Sequence, residues 1–171
     1  NADAVDWEDM ARGPCADPAK SCLYIGDIGD NAKDREAYVV YRVEEPAFLG
    51  DGDFDVTAEA FPFVYENGPH DAETLLVHPL TGQVYVVSKE DDTRIYSLPL
   101  PLSATTMTAQ RQGNANVPDL SPLVTGGDIR NDGGAILLRT KQSVWRYELG
   151  GGDTVEAALE RLPCEATSAY E

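Results

Sequence analysis

The chain has 171 residues, 42% of them hydrophobic, which suffices for a core of ordinary domain size and excludes wholesale disorder. Thirty acidic residues against 13 basic ones give a formal charge of −17, a field that repels nucleic acid and anionic membrane surfaces alike. No apolar run approaches the roughly 18 residues that a bilayer span needs.

The sequence starts at Asn1 without a Met, as a processed or trimmed N-terminus would. Asp6-Trp7-Glu8-Asp9-Met10 then opens a first strand, and Cys15 and Cys22 bracket the loop that follows it. A disulfide here would staple an enlarged hairpin and add roughly 2–3 kcal/mol by loop entropy. Such a staple belongs to an oxidising compartment, so a secreted or periplasmic location is expected; the other reading is two free thiols. No second Cys or His pair stands at ligand spacing, which argues against zinc.

Leu23-Tyr24-Ile25-Gly26-Asp27 is the next strand, and Tyr38 to Val43 the third. Between them, Gly26-Asp27-Ile28-Gly29-Asp30-Asn31 combines glycines with oxygen donors. Asp27, Asp30 and Asn31 suit a Ca²⁺-wrapping loop, although Asp/Gly/Asn turns between strands are common without metal. Asp51-Gly52-Asp53 with Asp55 reads as a solvated turn, and Asp55 to Tyr65 as a fourth, outer strand.

The same plan then recurs. His70-Asp71-Ala72-Glu73 leads into Thr74 to Val77, the turn Pro79-Leu80-Thr81-Gly82, Val84 to Ser88, and Arg94 to Leu98. Glu90-Asp91-Asp92 reads as an exposed hairpin turn. A third copy runs from Val124-Thr125-Gly126-Gly127-Asp128-Ile129 through Asp132-Gly133-Gly134 to Ile136–Arg139 and Val144–Leu149. Thr154 to Leu162 fits a helix period on its own, but its place in the plan predicts an outer strand. Cys164 to Glu171 reads as a lead-in to a further repeat, with the odd cysteine awaiting a partner elsewhere.

Repeats at intervals of roughly 50–60 residues, built of short strands and polar turns, mark a β-propeller with one four-stranded blade per repeat. The expected fold is all-β: a single partial propeller with blade one at about 5–65, blade two at about 68–117 and blade three at about 120–163, followed by the lead-in at 164–171. Three blades cannot close a ring. The chain therefore reads as half of a six-bladed propeller, completed by a missing segment, a second copy or another chain, and exposing two apolar blade faces when alone.

First strands of a propeller line its channel. Aligning the copies pairs Asp6 with Asp71 and Glu8 with Glu73, so two Asp-x-Glu pairs would crowd four carboxylates around one axis. Like charges that close require protonation, solvation or a cation, and calcium takes such oxygens readily. The alternative is a set of hydrogen-bonded carboxylates capping strand ends. In the third copy Thr125 falls near the Glu position, with Asp128 as the nearest acid. His70 is placed to act as a general base or to sense a phosphate, or else is a turn histidine after Asn67-Gly68-Pro69. His78 reads as structural, and Trp7 and Trp145 as packing between blades.

Residues Val5–Pro46, Gly68–Pro101 and Val124–Leu149, with their acidic first strands, resemble blades of bacterial secreted six-bladed propellers: TolB-like propellers, calcium-dependent phytases and lactonase-like enzymes. That resemblance implies Ca²⁺ held by carboxylates at the channel mouth, with Glu8 and Glu73 matching such positions. The basic cluster expected of a phytate site is missing from this chain. Two functions follow as expectations. One is a secreted binding or interaction module with calcium at the channel mouth, where a small molecule or a protein docks. The other is a calcium-dependent hydrolase of phosphoesters or lactones, with Glu8, Glu73 and Asp27 holding the ion.

Overall fold

The computed structural model describes residues 4–46 and 55–166, so the turn Asp51-Gly52-Asp53 lies outside the described residues. A first antiparallel meander contains β1 (Trp7–Pro14), β2 (Ser21–Asp27), β3 (Tyr38–Glu44) and β4 (Ala58–Tyr65). A second contains β5 (Ala72–Val77), β6 (Val84–Ser88), β7 (Arg94–Ser97) and β8 (Met107–Asn114). Valine, isoleucine and tyrosine dominate these strands, side chains that fit a pleated surface. Between β5 and β6 the turn closes through Gly82, whose φ of +70° suits a residue without a Cβ.

The outer strands β4 and β8 pair in parallel, Phe63 opposite Met107 and Tyr65 opposite Ala109. Eight strands thus form one sheet, in the order β1-β2-β3-β4-β8-β7-β6-β5. Its edges β1 and β5 pack against each other, which leaves the sheet nearly closed and barrel-like. A third meander forms a separate sheet of β9 (Val124–Ile129), β10 (Ala135–Thr140), β11 (Val144–Glu148) and β12 (Cys164–Glu165), with β9 packed on β5.

The second meander is the central layer. Leu75, Val77, Val84, Val86 and Tyr96 pack with Tyr24, Tyr38, Val40, Phe61 and Phe63 of the first. On its other side Leu76, Tyr85, Val87 and Ile95 pack with Val124, Ile129, Ile136, Leu138 and Tyr147 of the third. Burial on both faces explains the unbroken apolar runs of β5 and β6. Each large aliphatic or aromatic side chain so buried contributes about 1.5–3 kcal/mol.

Two expectations are corrected. The segment from Thr154 to Leu162 forms no outer strand: Val155–Leu159 is a helix, α1, and β12 is the fourth strand of its sheet. Thr154 caps the helix through its hydroxyl, which accepts from the Ala157 N–H at 3.3 Å. Val155, Ala158 and Leu159 share one stripe and bury it in the second core. The helical period therefore outweighed position in the repeat.

The two outward faces also differ. On the first meander, cross-strand rows run Met10–Ile25–Tyr41–Ala60 and Arg12–Leu23–Val43–Ala58, a mostly apolar surface. On the third, the outward row is Asp128–Leu137–Arg146–Cys164, flanked by Arg139 and Glu148. Only one of the two faces is apolar. Trp145 packs on the second core, whereas Trp7 lies half-exposed beside Tyr41 on the outward face.

Candidate functional site

β1 and β5 are each interrupted at the same place. Trp7 pairs with Asp27 and Asp9 with Gly26, leaving Glu8 as the extra residue of a β-bulge. Ala72 pairs with Ser88 and Thr74 with Val87, leaving Glu73 as the extra residue of another. A bulge re-aims the side chain it carries. Both glutamates thereby join Asp6 and Asp71, which precede the two strands.

Gly29 makes this convergence possible: its backbone passes so close that a Cβ there would run into the carboxylates of Asp6 and Glu8. The Gly29 and Ile28 N–H groups both donate to the Asp6 carbonyl at 3.2 Å. From the second meander, Lys89 pairs directly with Glu73 and stands 3.7 Å from Asp71. The Glu8 carboxyl is pushed up to about 7, first by burial and then by the charges of Glu73 and Asp6, with Asp71 adding and Lys89 opposing. Lys89 is held above its ordinary value, chiefly by its bond to Glu73.

The third meander contributes differently. β9 also bulges, with Thr125 and Gly126 together facing a single residue between the Val124–Thr140 and Gly127–Leu138 pairs. Asp128 lies beyond the bulge, its carboxyl raised by burial and bonded by the Ile129 N–H at 2.9 Å. Its electrostatic neighbour is Asp9, a residue the sequence did not single out. Asp9 Oδ2 accepts from Leu75 N–H at 3.0 Å and Gly127 N–H at 3.3 Å, so one carboxylate links β1, β5 and β9. Burial raises its pKa against those donors.

Asp27 and Asp30 are occupied by donors of the protein itself. Asp27 is 1% exposed, accepts from the Val5 and Asp6 N–H groups at 3.0 Å and pairs with Arg35 at 2.9 Å. Asp30 accepts from the Asp34 and Arg35 N–H groups at 3.1 Å and from Tyr38 Oη at 2.7 Å. Burial opposes its ionisation, but the Tyr38 and backbone donors outweigh it and hold the carboxyl below its ordinary value. The Asp30 N–H donates to Asp71 at 2.9 Å, tying this loop to the second meander. Asn31 is exposed at the turn.

His70 is 5% exposed and enclosed. Its backbone N–H donates to Tyr38 Oη at 3.1 Å, its Nδ1 faces Glu90 at 3.1 Å and its Nε2 faces Asn67 Oδ1 at 3.1 Å. The ring stacks on Tyr96 and meets Tyr65 edge-on. Glu90 corrects the reading of Glu90-Asp91-Asp92 as an exposed turn. The turn is present, with Thr93 N–H on the Glu90 carbonyl at 2.9 Å, but the Glu90 side chain is 8% exposed. It is paired with Lys33, His70 and Arg94. Burial resists ionisation there, yet the bonds from Lys33 and His70 leave its pKa lowered. A lone pattern of acids in sequence cannot reveal partners contributed by distant loops.

His78 is a turn residue, its Nδ1 accepting from the Leu80 and Thr81 N–H groups at 3.3 Å. Cys15 and Cys22 form a disulfide that closes the loop between β1 and β2. Among the described residues, no three His, Cys, Asp or Glu side chains stand ready to hold a metal as arranged. No described helix is long and apolar enough to cross a membrane. Comparisons with protein-family models, curated proteins and solved structures each return no match.

Proposed function

We propose that the chain is part of a secreted or periplasmic acidic β-propeller, a binding module whose carboxylates at the channel mouth take up calcium. The observation that carries this reading is the convergence of Asp6, Glu8, Asp71 and Glu73 at one end of β1 and β5, with Glu8 raised to about 7 by burial and by its acidic neighbours. A hard divalent cation relieves such crowding and suits an all-oxygen donor set. Stacked four-stranded meanders with adjacent first strands support blades, and the disulfide accords with an oxidising compartment. The apolar outward face of the first meander supports further blades as partners, supplied by another segment or a second chain.

Calcium titration by calorimetry, with thermal unfolding in calcium and in EDTA, tests the reading. Binding that Glu8→Gln and Glu73→Gln each weaken, with a higher Tm in calcium, is the expected result. No heat and no Tm shift would overturn it.

A calcium-dependent hydrolase of phosphoesters or lactones is the second reading. It is favoured by Glu8 alone, since a carboxyl near neutrality suits proton transfer. Turnover of p-nitrophenyl phosphate or a γ-lactone that requires calcium and falls sharply in Glu8→Gln would establish it. Equal rates in the wild type and the variant would exclude it.

A further inference from the structure

At the end of β1 and β5 away from the acidic cluster, three loops enclose a groove of about 410 Å³. Its walls come from the disulfide loop (Pro14, Pro18), the β5–β6 turn (Leu80) and the loop after β7 (Leu100, Pro101). These walls are tied down by the protein itself. The Tyr24 hydroxyl donates to the Pro14 carbonyl, the Gln83 side chain donates to the Leu98 carbonyl at 2.6 Å, and the Cys15–Cys22 bond closes the first loop. Leu80 is 72% and Leu100 48% exposed. One exposed leucine is ordinary, but two from separate turns line the same groove and give it an apolar character.

Polar chemistry enters through Arg42, which lines the same groove with its side chain 11% exposed. Its guanidinium lies 5.9 Å from the ring centroid of Tyr24 and 5.0 Å from that of Phe61, and the two rings position the charge. Its acidic partner Glu59 is exposed, and Arg42 Nε and Nη2 both reach the same Glu59 oxygen at 2.8 Å. Glu59 and the Tyr24 hydroxyl engage only part of the five N–H donors of a guanidinium, so a second carboxylate can be bonded. Around this end Arg12, Lys20 and Arg42 each face a glutamate (Glu45, Glu44 and Glu59), so charge is locally balanced although the chain carries −17.

We propose that this groove binds a small amphipathic carboxylic acid, its apolar body against Leu80 and Leu100 and its carboxylate on Arg42. The site is separate from the acidic cluster and does not rest on calcium. Burial of the body supplies affinity, while the guanidinium fixes orientation and selects an anionic head over a neutral one. Glu59 shares the guanidinium with the ligand, so the charge of Glu59 opposes binding.

Calorimetric titration of sodium octanoate and of octan-1-ol into the wild type, Leu100→Asp, Arg42→Met and Glu59→Gln tests this, with circular dichroism confirming that each variant is folded. Leu100 and Glu59 are exposed, so a folding defect in Arg42→Met leaves two variants that still decide. The expected result is octanoate bound more tightly than octan-1-ol and weakened about tenfold or more by Leu100→Asp and by Arg42→Met. That is the scale of one buried apolar side chain or one charge-assisted bond. Glu59→Gln should strengthen octanoate binding severalfold and leave octan-1-ol unchanged, which a merely structural role of Arg42 does not predict. Failure of the wild type to bind octanoate, equal affinity for octan-1-ol, or octanoate binding unchanged in Leu100→Asp would overturn the proposal.

Discussion

At the scale of single residues, acids of similar appearance do opposite things. Glu8 sits in a charged crowd, whereas Asp9, one residue on, joins three strands. Replacing Asp9 with Ala leaves the Leu75 and Gly127 N–H groups without their acceptor, and each such loss costs about 1–3 kcal/mol. Asp9→Asn keeps an accepting oxygen and removes a partly buried charge, so its stability should stay near that of the wild type. Chemical denaturation of the two variants separates the bond from the charge. Glu8 makes a pH-dependent prediction. Its folded carboxyl titrates at about 7 against an ordinary 4.5, so between those values the folded state binds the extra proton and stability falls as pH rises. Glu8→Gln should therefore raise Tm at pH 8 and leave it almost unchanged at pH 4, as thermal scans at the two values will show. Gly29→Ala should push the Asp6 and Glu8 carboxylates apart and, if the cluster takes up calcium as proposed, weaken that binding in a calorimetric titration.

At the scale of elements, the strands were largely legible because their signal is local. Val84-Tyr85-Val86-Val87 between a Gly-containing turn and a polar one has few alternatives to a buried strand. Setting Asp6 against Asp71 and Glu8 against Glu73 drew attention to four acids, and Glu8 does feel the charges of the other three. Legibility failed where the repeat was trusted over local chemistry, at Thr154–Leu159, and where pairing is long-range. Lys33 and His70 reach Glu90 from separate loops, and no spacing in the chain announces that; Arg94 joins them from four residues on, at the start of β7. The bulges at Glu8 and Glu73 were equally hidden, since a bulge shows only against its partner strand. The disulfide loop was readable from its placement between two strands. Converting Cys15 and Cys22 to Ser should lower stability by about 2–3 kcal/mol in urea denaturation, given the short loop that the bond closes.

At the scale of the whole molecule, the two outward faces define how the chain meets others. Met10 is 56% exposed on the β1 edge of the apolar face, while the opposite end of the stack presents Arg139, Arg146 and Glu148. Sedimentation should show concentration-dependent association that Met10→Glu reduces and Leu137→Glu leaves nearly unchanged. The parallel seam between β4 and β8 has a mechanical consequence. Backbone hydrogen bonds clasp the first two meanders, while the third is a separate sheet held mainly by side-chain packing, α1 and the Asp9–Gly127 bond. Pulled from its two ends, the chain should rupture in two events: β9–β12 peels away at low force, and the clasped pair then yields together at higher force.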